Sequence, residues 1–151
     1  MKITEILTSF YSSRKENDRL TSKHGAIEFI TTTKYIEKYL KEGDRILEIG
    51  CGTGRYSLYY AHKHFEVDAI ELLEENLNVL RQNILPYDKI QAVQGNALDL
   101  SIYPDNTFDI TLLLGPMYHL FTREDKLKCL GEALRVTKKG HFEKKLIVQK
   151  F

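Results

Sequence analysis

Residues Ile46 to Tyr56 read Ile-Leu-Glu-Ile-Gly-Cys-Gly-Thr-Gly-Arg-Tyr, an apolar run that ends in an acid and opens onto three alternating glycines. This is a strand delivering the chain into a tight loop, because Gly50, Gly52 and Gly54 remove Cβ where backbone must turn sharply or approach a ligand closely. The residues after them, Arg55 to Lys63, read as a helix. Strand, glycine loop and helix in that order put the loop at the carboxyl edge of an open α/β sheet, where such folds bind small molecules. A dinucleotide fingerprint needs G-x-G-x-x-G. Here the third glycine comes one residue early, at Gly54, and Arg55 takes the place reserved for glycine, which argues against a pyrophosphate cradle. A plain strand-to-helix turn also recruits glycines, and Glu48 would then be a solvated strand residue.

With 151 residues, 42% of them apolar, the chain is the size of one compact domain with a real core. Its 22 basic and 21 acidic residues leave a formal charge of +1, so no basic excess points to nucleic acid as the main partner. Cys51 and Cys129 are the only cysteines and form no C-x-x-C pair, so no metal site is expected and a reducing, cytoplasmic compartment is the simplest setting. The N-terminus carries acid early, and no stretch approaches the roughly 18 apolar residues of a membrane span. A soluble protein with no membrane partner is expected.

The remaining chain alternates in period. Ile3, Ile6, Leu7, Phe10 and Tyr11 recur at helical spacing. A second helix is expected from about Gly25 to Leu40, with Ile36, Tyr39 and Leu40 late on its buried side and Gly43 as the stop. Strands are expected at Arg45 to Ile49, Glu66 to Glu71, Ile90 to Gln94, Phe108 to Leu114 and Lys145 to Val148. Helices fall between them at Leu73 to about Asn83, with Leu73, Leu77, Leu80 and Ile84 on one face, and at Arg123 to about Val136. The turn signal Pro104-Asp105-Asn106-Thr107 precedes the continuous apolar strand. The predicted fold is a Rossmann-like three-layer α/β sandwich with a mostly parallel sheet of about five strands. Residues 1–44 form a helical lid region and residues 45–151 the core.

The stretch from Ile46 to Gly54 resembles motif I of the class I S-adenosylmethionine-dependent methyltransferases: an apolar strand, an acid and G-x-G-x-G. The resemblance implies that S-adenosylmethionine is the cofactor, with S-adenosylhomocysteine the product. Glu48 would receive the methionine ammonium while Gly50, Cys51, Gly52, Thr53 and Gly54, with Tyr56 beyond them, line the methionine and ribose. Glu71, followed by Leu72, ends the second strand where an acid accepts from both ribose hydroxyls, a task suited to an acceptor-only carboxylate; capping the next helix is its other reading. Asn96 and Ala97, after the third strand, would meet the adenine amino group, although Asx residues also make turns for local reasons.

Leu114 and Gly115 would lie beneath the transferable methyl, with Tyr118 and His119 as candidate catalytic residues. Tyr118 packing under a helix and His119 capping it is the plainer alternative. Tyr11, Arg19, His24 and Glu28 are candidate lid residues in a segment that otherwise reads as a charged connector.

No D-P-P-Y or N-P-P-Y box occurs, so a small-molecule acceptor is expected and nucleic acid is not supported. The family usually builds seven strands, whereas only Gly140 to Phe151 remain after the last helix, which reads as a C-terminal truncation and leaves a sheet edge through which a homodimer could form. A non-catalytic S-adenosylmethionine-binding module and a nucleotide-binding oxidoreductase are the alternative readings.

Overall fold

A computed structural model describes residues 22–140 and 145–149. The chain divides into two units, residues 1–39 and 40–151.

In the first unit, α1 (Lys23–Glu37) starts where Ser22 Oγ accepts from the Gly25 amide at 3.1 Å, satisfying one of the free donors of the first turn. The helix stops three residues short of the expected Leu40. Tyr39 therefore leaves the predicted buried side; it is 40% exposed and meets Tyr35 edge-on, ring centroids 5.3 Å apart. Gly43, at φ +84°, turns the chain after the helix has already ended.

The second unit is a five-stranded sheet: β1 (Arg45–Ile49), β2 (Glu66–Glu71), β3 (Lys89–Gln94), β4 (Ile110–Leu113) and β5 (Leu146–Val148). Its order is β3-β2-β1-β4-β5 and every neighbouring pair is parallel. Three helices connect the strands: α2 (Arg55–His62), α3 (Glu74–Gln82) and α4 (Arg123–Val136). The two central strands are apolar without alternation because both of their faces are covered. Ile46 to Ile49 and Ile110 to Leu113 are buried throughout.

On one face Leu47, Ile49, Ile70 and Leu113 join Phe108 and the α4 residues Cys129, Ala133 and Val136. On the other, Ala69 packs with Cys51 and with Leu77 and Leu80 of α3. The predicted α3 stripe is realised, with Leu73 buried and Ile84 at its margin.

The predicted strand Phe108 to Leu114 shortens to Ile110–Leu113. Its entry is claimed by the chain leaving α4: the Thr107 and Phe108 amides donate to Val136 O at 2.8 and 3.0 Å, and the Lys138 amide donates to Phe108 O at 2.8 Å. Arg135 ties the preceding loop to α4 through the Leu100 and Tyr103 carbonyls, both at 2.9 Å.

Buried Asp68, on β2, takes a two-toothed bond from Arg45, Nε to Oδ2 at 3.0 Å and Nη2 to Oδ1 at 3.2 Å. The Arg45 guanidinium also lies 5.0 Å from the centre of the Phe108 ring. Burial pushes the Asp68 carboxyl up, and Arg45 opposes the rise.

Gly54 caps α2 at φ +87°, and a Cβ there would come within 2.5 Å of Leu80 Cγ and Cδ1. Gly54→Ala combines left-handed strain with overpacking of a buried leucine, an expected loss of about 2 to 4 kcal/mol. Urea unfolding measures it. A loss below about 1 kcal/mol would mean that Leu80 yields freely and that the glycine is not there for packing.

Candidate functional site

The chain order reverses at β1, which has β2 on one side and β4 on the other, and the loops leaving the carboxyl ends of these strands converge. The glycine loop itself is folded against β2. The Gly50 and Cys51 amides both donate to Ile70 O, at 2.7 and 3.0 Å, and the Gly54 amide donates to Cys51 O at 2.9 Å.

All three glycines have positive φ, +71°, +56° and +87°, but only two are crowded. A Cβ on Gly50 would lie 2.4 Å from Pro116 Cγ, and one on Gly54 would strike Leu80, whereas one on Gly52 would meet nothing within 4 Å. Gly50 and Gly54 therefore serve close packing of the segment after β4 and of α3. Gly52 presents bare backbone to open space.

Two buried carboxylates flank this loop. Glu48, 3% exposed, points to the side of β1 opposite Leu47 and Ile49, and Ser57 Oγ of α2 donates to its Oε2. Burial pushes its carboxyl from the usual 4.5 up to about 8; the bonds from Ser57 hold it down in part and the negative charge of Glu71 adds to the rise. Glu71, 7% exposed, ends β2. Its Oε2 accepts from the Gly52 amide at 2.8 Å, and its Oε1 accepts from the Leu73 amide at 3.0 Å and from Asn76 Nδ2 at 3.4 Å. The carboxylate thus clamps the glycine loop while it caps the entry to α3, the local role that the sequence had left open for it. Among the described residues neither acid forms an ion pair.

Cys51 is buried beneath the loop, and burial together with both carboxylates pushes its thiol far up, so it fills space in a protonated form. Thr53 and Tyr56 are half-buried on the loop and the first turn of α2, and Leu72 is half-buried beside Glu71, its carbonyl accepting from Gln94 Nε2 at 3.0 Å. Past β3 the Gly95 amide donates to Glu71 O at 3.0 Å, joining the third loop to the second. Asn96 is exposed, and its Oδ1 accepts from the Leu98 amide at 2.9 Å in an Asx turn. Ala97 packs against the core cluster beneath α4.

Leu114 is buried, and Gly115 runs into a 3-10 turn, Pro116–Tyr118, that rests on Gly50. Tyr118 is 46% exposed and His119, half-buried, follows the turn with its amide on Pro116 O at 3.0 Å. Of the lid residues, Tyr11 and Arg19 lie outside the described residues, while His24 and Glu28 belong to α1.

Ser57 and Asn76, which hold the two acids, went unnoticed in the sequence. Ser57 had a readable signal: it falls three residues after Gly54, on the turn of α2 that faces β1. Among the described residues no group of three or more His, Cys, Asp or Glu gathers as a metal site. No helix among them is long and apolar enough to cross a membrane.

Residues 46–140 match the family described as a methyltransferase domain. The demethylmenaquinone methyltransferase of Bacillus licheniformis is 32% identical over 135 residues, covering 83% of this chain and 55% of that protein. The ribosomal protein L11 methyltransferase of Lachnospira eligens is 35% identical over 74 residues, 44% of this chain and 22% of that one. The crystal structure of an S-adenosylmethionine-dependent methyltransferase from Methanosarcina mazei superposes with a TM-score of 0.67 at 27% identity, covering 76% of this chain and 55% of that one. The chain therefore spans about half, or less, of the length of these relatives, and their names attach different kinds of acceptor to one kind of domain. By the match over residues 46–140, and by the strand order and glycine loop it encloses, the chain belongs to the class I S-adenosylmethionine-dependent methyltransferases, whose cofactor is S-adenosylmethionine.

Proposed function

We propose that this domain binds S-adenosylmethionine at the carboxyl edge of β1 and directs its methyl, by in-line displacement, to a small-molecule acceptor in the cytoplasm. The observation that carries the reading is electrostatic. Two buried acids with no cationic partner among the described residues border an open stretch of glycine backbone, an environment that disfavours pyrophosphate and favours a ligand bearing a sulfonium and an ammonium. Arg55 at the third fingerprint position speaks against a nucleotide-dependent oxidoreductase, whereas an acid ending the second strand, as Glu71 does, suits a ribose in either reading.

The cofactor supplies a methyl already made electrophilic by its sulfonium, so the chain's work is binding and alignment. Glu48 takes the ammonium. The backbone of Gly52, with Thr53 and Tyr56 alongside, lies against the methionine and ribose. Glu71 Oε2, which accepts from the Gly52 amide alone, keeps a lone pair for one ribose hydroxyl, and on Oε1 the second hydroxyl displaces the long bond from Asn76 at 3.4 Å, so the loop is not released. Leu72, Asn96 and Ala97 border the adenine, and Leu114 and Gly115 lie under the methyl. Tyr118 and His119 are the residues placed to meet an acceptor. The absence of a D-P-P-Y or N-P-P-Y box supports a small acceptor, and two buried free thiols accord with a reducing compartment.

Calorimetric titration with S-adenosylmethionine and S-adenosylhomocysteine, with NAD as control, tests the donor site: saturable binding of the first two and none of NAD is expected. Preference for NAD would sink the reading. Donor binding without methyl transfer to any of a broad small-molecule panel would leave a binding module.

Glu71→Gln keeps one carbonyl oxygen for the loop and loses charge-assisted bonds to the diol, an expected loss of about 10- to 100-fold in affinity. Unchanged affinity would remove Glu71 from the ribose. Gly52→Ala, strained but unobstructed, should cost only about 1 to 2 kcal/mol of stability yet abolish most donor binding, because its new methyl enters the space assigned to the ligand; full affinity in that variant would move the ligand elsewhere.

Stability of the ligand-free protein carries its own signature. Glu48 titrates higher in the folded chain than in the unfolded one, so its contribution is complete below about pH 4.5 and disappears as pH rises through about 8. Between pH 6 and 8.5 the melting temperature of Glu48→Gln should fall less than that of the native chain.

A further inference from the structure

Glu48 is a carboxyl with an unusual set of neighbours. On β2 its register partner is Ala69 and on β4 it is Leu112. Ser57 approaches from α2, and the thiol of Cys51 and the carboxylate of Glu71 lie close enough to interact electrostatically. Among the described residues its neighbours therefore offer apolar groups, the hydroxyl and amide of Ser57, a protonated thiol and another negative charge. Asp68, one residue back from that partner on β2, is by contrast held by both teeth of a guanidinium. Within the described chain the compensation for a charge on Glu48 comes from the hydroxyl and amide of Ser57 alone, with no cation beside it, and burial outweighs them and favours the neutral acid.

We propose that donor binding is proton-coupled: Glu48 carries a proton in the ligand-free protein and releases it to solvent when the cationic amino-acid end of the donor enters, and Ser57 is the positioning residue that sets the pH at which this exchange occurs. The inference rests on the donor-site reading above. The step balances simply. The O–H bond of the Glu48 carboxyl breaks, its electron pair stays on the carboxylate, the proton passes to buffer, and the ammonium of the ligand keeps its own protons and replaces the lost one as the compensating charge. Ser57 Oγ donates to Glu48 Oε2 and so favours the ionised form. Without that hydroxyl the acid would hold its proton to higher pH.

The experiment is a calorimetric titration of the whole chain with S-adenosylhomocysteine, which bears the same ammonium, at pH 6.5 in two buffers of different ionisation enthalpy. Release of about one proton per ligand bound is expected. Apparent affinity should rise about tenfold per pH unit from pH 6 to 7 and flatten towards pH 8, where Glu48 gives up its proton without the ligand. Ser57→Ala should extend proton release to higher pH and lower the affinity at pH 7.5 several-fold, whereas Glu48→Gln should bind weakly, release nothing and show no rise over that range.

Circular dichroism melts verify that each variant is folded, and a purely structural role for Ser57 would lower the melt without moving the proton count. Binding by the native chain with the same heat in both buffers overturns the coupling while sparing the donor site. An unshifted profile in folded Ser57→Ala removes that residue from it. Failure of the native chain to bind overturns both the coupling and the donor-site reading beneath it.

Discussion

At Gly50 and Gly54 the loop backbone combines positive φ with neighbours that leave no room for a Cβ, and much of the second unit is packed on the premise of that course. Ile70 O holds two successive amides of the loop, Pro116 sits where a Cβ of Gly50 would be, and Leu80 sits where a Cβ of Gly54 would be. Three segments distant in sequence, the end of β2, the turn after β4 and the body of α3, are thereby brought against one turn. Gly52 alone faces nothing. The clamping that lets the sheet edge pack tightly is also what leaves a single patch of backbone open, so the fold and the opening for a ligand have one origin.

Asp68 and Glu48, both buried on neighbouring strands, show how differently the sheet treats a buried acid. Asp68 is matched by Arg45 in a fork geometry, and the guanidinium is itself set against Phe108. The charges close on each other, and the pair joins β1 to β2 at the edge where the strands begin. Glu48 lies three residues further along β1 than Arg45, near the edge where the strands end, and among the described residues receives only the hydroxyl and amide of Ser57. An unpaired buried acid is a cost to the ligand-free fold. Its retention beside an open backbone surface makes sense if the missing cation arrives with the ligand.

Much of the fold was legible because the strands carry their own boundaries. Arg45 to Ile49 and Glu66 to Glu71 end at acids and glycines, and α4 is delimited by Thr122, whose hydroxyl accepts from the Asp125 amide at 3.0 Å, and by the run after Val136. The misplacements fall where tertiary pairing decides. Phe108 is as apolar as the strand it precedes, but its backbone groups are taken by the segment after α4, and Tyr39 leaves the expected face because the helix ends before reaching it. In the site, residue types announced Glu48, Glu71 and the glycines. What each acid touches did not follow from spacing: the bond from Gly52 to Glu71 and the Asx turn that occupies Asn96 Oδ1 depend on how the loops meet in space. Ser57 is the instructive omission, since a small polar residue on the inward turn of a helix facing a buried acid is a pairing that a helical wheel can propose.

On the reading proposed above, the donor and acceptor sides of the site are built under different constraints. Glu48, Gly52 and Glu71 stand on strand ends or on the clamped loop, and altering any of them disturbs hydrogen bonds or packing that the sheet edge uses. The turn at Pro116–Tyr118 touches the donor loop through Pro116, while Tyr118 and, just beyond it, Phe121 at 72% exposure face outward. Side chains there can change in size and chemistry without loosening the glycine loop. A domain divided in this way can keep one donor while its acceptor side changes. On that reading the acceptor meets the exposed aromatic segment after β4, and not the residues that made the family legible.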